Sequence, residues 1–201
     1  MIAVIDYRIG NLYNLKNALD KIDASSKIVT SPKELARAKK IIIPGVSSFD
    51  VAMRNFKHYG FYEKIIEIAH TGIPILGVCV GMQILFSIGE ENTTTKGLNL
   101  IKGQVKKFTI PFKIPHMGWN QLSFTKDDNH LLSGLENGAW VYFVHSYFVE
   151  TSAQFSIATT DYQQTFCSVC AHKNIYGLQF HPEKSQKNGL KILSNFCFNK
   201  D

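Results

Sequence analysis

Two short stretches carry residue types able to do covalent chemistry. The first is Gly77-Val78-Cys79-Val80-Gly81, set between the apolar run Ile73-Pro74-Ile75-Leu76 and Met82-Gln83-Ile84-Leu85-Phe86. The run reads as a buried strand, and Met82 to Phe86 reads as the first turns of a helix. A cysteine between glycines at a strand-to-helix joint has the form of a nucleophile elbow, with sulfur in place of the serine oxygen. Small neighbours suit a tight turn where φ is unusual or where backbone and substrate come close. A helix N-terminus beside the sulfur favours thiolate. The Val80 N–H would face an oxyanion formed by attack from Cys79.

The second stretch is Gln179-Phe180-His181-Pro182-Glu183. Pro182 disfavours helix at His181, and in an extended segment residues two apart face the same way. Glu183 can then hold one imidazole nitrogen and leave the other to a nucleophile. Cys79, His181 and Glu183 together spell nucleophile, base and orienter. Each stretch alone also fits a plain role, as a buried cysteine beside turn glycines or a strand-end histidine with a solvated glutamate.

The elements that must carry these residues follow from hydrophobic spacing. In the first half, Ile2 to Ile5, Lys27 to Thr30 and Ile41 to Ile43 read as strands. Leu12, Leu15, Leu19 and Ile22 recur at helical spacing, as do Phe49, Met53 and Phe56, then Phe61, Ile65, Ile68 and Ala69. Ser31-Pro32-Lys33-Glu34 has the form of a capped helix start. Apolar strands alternating with helices imply an α/β fold, an open, mostly parallel twisted sheet with helices on both faces. Ligands bind such sheets beyond the carboxyl ends of the strands, where the elbow and Pro44-Gly45 both sit.

The second half is richer in strands and adds an antiparallel region. Candidates are 104–108, 121–124, 140–147, 155–160, 166–172 and 175–180. Leu190, Leu193, Phe196 and Cys197 mark a closing helix, and Glu90 to Lys96 reads as a surface loop at most. No linker, repeat or low-complexity tract interrupts the chain, so residues 1–201 are expected to form a single domain.

Composition excludes several classes. The 201 residues are 45% hydrophobic and 19% charged, which is globular rather than disordered. The net charge of +6 is spread over scattered lysines, so nucleic acid is not the expected partner. No stretch approaches the ~20 apolar residues of a membrane span, and the opening Met1 to Asp6 reads as a strand rather than a signal peptide. Four unevenly spaced cysteines, Cys79, Cys167, Cys170 and Cys197, suit a reducing cytoplasm. Cys167-Ser168-Val169-Cys170 lacks a second pair to complete a zinc site and reads as strand packing. His116 and His145 read as structural, because neither has ligand-type neighbours at metal spacing. No metal or cofactor is expected.

The chain as a whole resembles the class I (triad) glutamine amidotransferases. Gly77-Val78-Cys79-Val80-Gly81-Met82-Gln83, Gln179-Phe180-His181-Pro182-Glu183 and Pro44-Gly45-Val46 match that family's signatures. Ile5 to Leu12, Pro115 to Asn120 and Tyr142 to Tyr147 are similar to the glutaminase subunits of imidazole glycerol phosphate synthases. The resemblance implies hydrolysis of L-glutamine through a Cys79 thioester. Ammonia would pass through a tunnel to a (β/α)8-barrel cyclase that makes imidazole glycerol phosphate and aminoimidazole carboxamide ribotide in histidine synthesis.

It implies an oxyanion hole at the N–H groups of Val46 and Val80, and glutamine contacts at Gly45, Gln83, Glu91, Ser146 and Tyr147. It implies a partner interface at Asn11, Met117, Trp119, Asn120, Tyr142 and Lys184. Two positions depart from the family: Ser47 and Arg8 stand where it usually has glycine. Ser47 is expected to shift a peptide flip of the oxyanion strand. Two other readings stay open: a paralogue feeding ammonia to amidation of a surface-sugar precursor, and a cysteine peptidase-like protein on the same sheet.

Overall fold

Apolar runs of about four residues are too short for helices and settle side by side as strands. In the computed structural model, residues 1–126 and 129–199 are described. The first half runs β1 (Ile2–Ile5), α1 (Leu12–Asp20), β2 (Ser26–Val29), β3 (Lys40–Ile43), α2 (Phe49–His58), α3 (Phe61–Ala69), β4 (Ile75–Val78) and α4 (Val80–Gln83). The second half runs β5 (Ile88–Gly89), β6 (Thr95–Lys96), β7 (Gly103–Lys107), β8 (His116–Gln121), β9 (Ser123–Phe124), β10 (Trp140–His145), β11 (Tyr147–Thr151), β12 (Ser156–Asp161), β13 (Thr165–His172), β14 (Ile175–Leu178) and α5 (Gln186–Phe198).

The main sheet has the order β2-β1-β3-β4-β14-β13-β11-β7-β5-β6, with β12 and β9 branching from β13. From β2 to β14 every pairing is parallel, and from β14 to β7 every pairing is antiparallel. β1, β4 and β14 are buried at every residue, as strands covered on both faces must be. α1 lies against α5, and α2 lies against α3 and α4. β8 and β10 form a separate two-stranded antiparallel ribbon.

One pairing decides where the site falls. β14, from the far end of the chain, inserts parallel to β4 with Leu178 opposite Val78. The Cys79 N–H donates to the Leu178 carbonyl at 2.7 Å. Residues after β3, β4 and β14 therefore leave the sheet at one edge, side by side.

Several local expectations are corrected. The segment from Ser31 is a 3₁₀ turn (Pro32–Arg37) with no hydrogen bond from the Ser31 side chain, and Glu34 accepts from Lys27 Nζ and the Thr30 N–H. The helix after the elbow is a single turn, Val80–Gln83, rather than the longer helix expected. Residues 140–147 are not one strand, since the chain breaks at Ser146 and its two parts join different sheets. The ribbon strand β8 begins well before 121, and Thr95–Lys96 pairs with β5 rather than lying wholly in a loop.

Arg8 sits in the left-handed region at φ 68, its N–H donating to Asp6 Oδ1 at 2.8 Å. That conformation costs a side-chain-bearing residue about 1–2 kcal/mol, which glycine avoids. Arg8→Gly is therefore expected to stabilise the protein by up to about 1 kcal/mol after the loss of glycine's chain entropy. Chemical denaturation of both proteins checks this, and a variant less stable than the parent would contradict it.

Candidate active site

The elbow is built by close backbone approach. A Cβ on Gly81 would lie 1.8 Å from the Ile43 carbonyl oxygen, and one on Gly77 would lie 2.3 Å from the Gly81 carbonyl oxygen. Only glycine lets the turn pass so near the end of β3. Cys79 takes φ 56 and ψ −115, a strained combination for a residue with a side chain. Such strain is held by surrounding structure, here two parallel strands and the α4 turn. Because α4 is one turn long, the dipole favouring thiolate is smaller than a full helix would supply.

The Cys79 sulfur lies 3.9 Å from the Val144 carbonyl oxygen and acts electrostatically on the His181 ring. His181 Nδ1 lies 2.9 Å from Glu183 Oε1, leaving Nε2 free of that bond. Both side chains are nearly sealed from solvent. Extended alternation is not what brings Glu183 back to the ring. His181 alone is extended, and Glu183 belongs to a 3₁₀ turn, Pro182–Lys184. Ser185 Oγ donates to the His181 carbonyl at 2.7 Å and tightens that turn. Burial works against a charged imidazole, yet the adjacent sulfur and the Glu183 carboxylate outweigh it, and His181 rises from 6.5 to about 10.

Cys79 and His181 line a cleft of about 520 Å³, and Glu183 stands behind the ring. Its other lining residues include Val46, Ser47, Val80, Gln83, Glu91, Ser146, Tyr147, Asn11 and Lys184. The expected oxyanion donor at Val80 is engaged elsewhere, since its N–H faces the Gly45 carbonyl oxygen at 3.4 Å. For Val80 to serve as an oxyanion donor, that carbonyl would have to turn away. Tyr7 holds the segment by donating its hydroxyl to the Pro44 carbonyl at 2.6 Å. Ser47 is not at positive φ, so it carries no left-handed strain here. Its hydroxyl donates to the Ser48 carbonyl at 3.0 Å.

Gln83 is buried and donates through Nε2 to the Tyr147 carbonyl at 3.0 Å and to Gln179 Oε1 at 3.1 Å. Both amide hydrogens are thus used within the protein, which leaves Oε1 to offer a ligand. Glu91 Oε2 accepts the Phe49 N–H at the start of α2 at 2.8 Å. Burial, opposed in part by that N–H, raises its carboxyl. Burial first, and then the Glu91 and Asp50 carboxylates, raise the Tyr147 phenol.

Of the expected interface residues, Asn11 and Lys184 line the cleft, and Met117, Trp119, Asn120 and Tyr142 lie on the ribbon. Met117 and Trp119 are 61% and 42% exposed, so Trp119 is not a core aromatic. Tyr142 lies opposite Trp119 across the ribbon, with ring centroids 5.9 Å apart, and Lys184 Nζ sits 5.7 Å from the Tyr142 ring centre. Asn11 also has a local duty: its side chain accepts the Asn14 N–H and caps α1. Sequence reasoning passed over Gln179, whose Nε2 points at the Cys79 sulfur from 4.0 Å. It stands two residues before His181, and its full burial is the signal a sequence does not show.

The family model described as glutamine amidotransferase class-I matches residues 3–200. The chain belongs to the class I glutamine amidotransferases. Among curated relatives of this amidotransferase is imidazole glycerol phosphate synthase subunit HisH of Desulfitobacterium hafniense (strain Y51). It is 46% identical over 98% of this chain and 93% of its own. Imidazole glycerol phosphate synthase subunit HisH 1 of Campylobacter jejuni (serotype O:23/36, strain 81-176) is 44% identical over 98% of this chain and 99% of its own. In fold, the amidotransferase is similar to the structure of PurLQS from Thermotoga maritima, with a TM-score of 0.76 at 19% identity over 97% of this chain and 96% of that one.

Burial holds the other cysteines of the amidotransferase as thiols. Cys167 and Cys170 are buried in β13, where burial pushes Cys167 up to about 11 and Cys170 well above its ordinary value. Burial also raises Cys197 to about 12, with Lys40 opposing. Among the described residues no helix is long and apolar enough to cross a membrane.

Proposed function

We propose that this amidotransferase is the glutaminase subunit of an imidazole glycerol phosphate synthase, acting in the cytoplasm with a (β/α)8-barrel cyclase. The observation that carries the chemistry is the Cys79–His181–Glu183 grouping, with His181 Nδ1 2.9 Å from Glu183, its other nitrogen left free of that bond, and the Cys79 sulfur acting on the ring. The relatives named HisH, matched over nearly their full length, carry the pathway.

Cys79 attacks the carboxamide carbon of glutamine as a thiolate, its proton resting on His181. The carbonyl oxygen becomes an oxyanion held by the Val46 and Val80 N–H groups. For this the Gly45–Val46 peptide must turn, freeing Val80 and aiming Val46 inward. His181 passes its proton to the departing nitrogen, ammonia leaves, and a glutamyl thioester remains. Water, deprotonated by His181, then attacks the thioester, releasing glutamate and restoring the thiol. Gln83 Oε1 accepts from a donor of the substrate, which suits glutamine's ammonium or carboxamide NH₂. Glu91 and the Ser146–Tyr147 backbone complete a pocket for one amide, one ammonium and one carboxylate.

The engagement of the Val80 N–H with Gly45 supports control by the partner. Val46 in the cleft and Met117 and Trp119 on the ribbon are exposed apolar residues that a docked subunit would cover. The test is ammonia release from glutamine by the subunit alone and with a cyclase carrying its acceptor. Stimulation with incorporation of glutamine nitrogen into the cyclase product is expected. No stimulation, or release of all nitrogen to solvent, would sink the pathway assignment.

A pH dependence follows from His181. Its raised pKa contributes stability fully present below 6.5 and lost as pH rises through about 10. The same proton is needed by the leaving ammonia, so activity falls on the alkaline side as it is lost. Glu183→Gln removes one of the groups holding the imidazolium. It is expected to move that alkaline limb down by about 1–3 pH units. An unmoved limb in the rate profile would show that Glu183 does not act on His181.

A further inference from the structure

Two buried histidines that the deamidation scheme leaves unused face each other across the ribbon, His116 on β8 opposite His145 on β10. Their hydrogen bonds fix their protons. A carbonyl oxygen only accepts, and the Tyr147 carbonyl lies 2.8 Å from His145 Nδ1, so that nitrogen carries hydrogen. His145 Nε2 then accepts from His116 Nδ1 at 3.0 Å. His116 Nε2 in turn accepts from Asn120 Nδ2 at 3.4 Å. The Asn120 amide is oriented independently, since Nδ2 also donates to the Asp161 carbonyl at 2.9 Å and Oδ1 accepts the Gln121 N–H at 2.8 Å. The His116 ring is stacked between Tyr162 and Phe143, at centroid distances of 3.9 Å and 4.7 Å.

Each ring in this chain donates once and accepts once, which only a neutral imidazole can do. Burial favours that form, lowering His116 to about 4 and His145 to about 3, the latter aided by neighbouring His116 and His181 against the Tyr147 carbonyl. Beyond the Tyr147 carbonyl the chain continues through Gln83 and Gln179 to the Cys79 sulfur. It therefore starts on the outer ribbon beside exposed Trp119 and ends at the nucleophile.

We propose that His116 and His145 are positioning residues for glutamine, a neutral relay that fixes the Tyr147 carbonyl and, through it, the Gln83 amide at the pocket wall. The proposal rests on the glutaminase reading above. It gives the ribbon a second duty, because Met117 and Trp119 face outward on β8 while His116 and Asn120 occupy the opposite face. Polar rings inside an aromatic cluster would otherwise be expensive to bury, and the unbroken donor–acceptor order is what offsets that cost.

The test uses the complex with a (β/α)8-barrel cyclase. His116→Phe keeps the stack and removes both nitrogens. It is expected to raise KM for glutamine about tenfold while kcat changes less than about threefold. His116→Asn, whose amide can donate toward His145, is expected to recover most of that loss. Unchanged kinetics in His116→Phe would overturn the proposal, as would equal losses in both variants confined to kcat. If the variants do not fold, ¹⁵N spectra of the unaltered protein decide. Two neutral imidazoles protonated at Nδ1 support the relay, and a proton on Nε2 of either ring overturns it. Those spectra need no turnover, so absence of glutamine hydrolysis in the parent would count against the enzyme assignment and leave the relay to its own result.

Discussion

Replacing Cys79 by alanine is expected to lower glutamine hydrolysis by at least about four orders of magnitude, since the covalent route is lost and only binding and oxyanion contacts remain. The fold should survive. Alanine meets the same backbone demand at φ 56 and ψ −115, and the residue 79 N–H still donates to Leu178. His181 loses one of the two groups that raise its pKa, so its titration moves toward the ordinary value. Ammonia release under saturating glutamine, with the cyclase bound, measures the effect. Residual activity within about a hundredfold of the parent would mean that another group attacks the amide.

Gly81→Ala is expected to be the most damaging single methyl group in the chain. The new Cβ would lie 1.8 Å from the Ile43 carbonyl oxygen and 2.7 Å from its carbon, both backbone atoms at the end of β3. No rotamer relieves that contact, so strand and elbow must move apart. Overpacking of this kind is expected to cost about 3 kcal/mol or more. For a chain of this length it would lower Tm by about 10 °C. Activity should fall further than stability explains, because the same shift moves Val80 and the Gly45 segment. Thermal unfolding and glutaminase assays read the two effects separately. A variant with parental Tm would show that the elbow is looser than these distances imply.

The inner strands of the parallel half were legible because they are buried on both faces. Ile2–Ile5 and Ile41–Ile43 had to be written almost entirely in apolar residues, and they read that way. The elbow was legible for a related reason: glycines at 77 and 81 are dictated by backbone contact, which leaves a mark in composition. The ribbon left no such mark. His116–Gln121 has polar and small residues on a largely open strand, so period and hydrophobicity both fail there. The break at Ser146 sits inside a continuous run of strand-forming residues, and only pairing with two different sheets reveals it.

At the site, residue identities were readable while their arrangement was not. Glu183 reaches His181 by curling in a 3₁₀ turn, although extended spacing also permits the pair. The Val80 N–H suits an oxyanion hole by position along the chain, yet it is turned to Gly45 in this state. Peptide orientation is a three-dimensional choice among near-equal alternatives, and no residue type encodes it alone. The His116–His145 contact likewise depends on register, because residues 29 apart in the chain meet only when β8 and β10 pair as they do.

A glutamine-shaped chloroketone tests the central claim directly. The reagent carries the substrate's ammonium and carboxylate and presents an electrophilic carbon where the amide would sit. Peptide mass mapping after treatment is expected to find one adduct, on Cys79, slowed by added glutamine and lost when His181 is replaced by alanine. Adducts spread over Cys167, Cys170 and Cys197, or labelling of Cys79 indifferent to glutamine, would contradict the account.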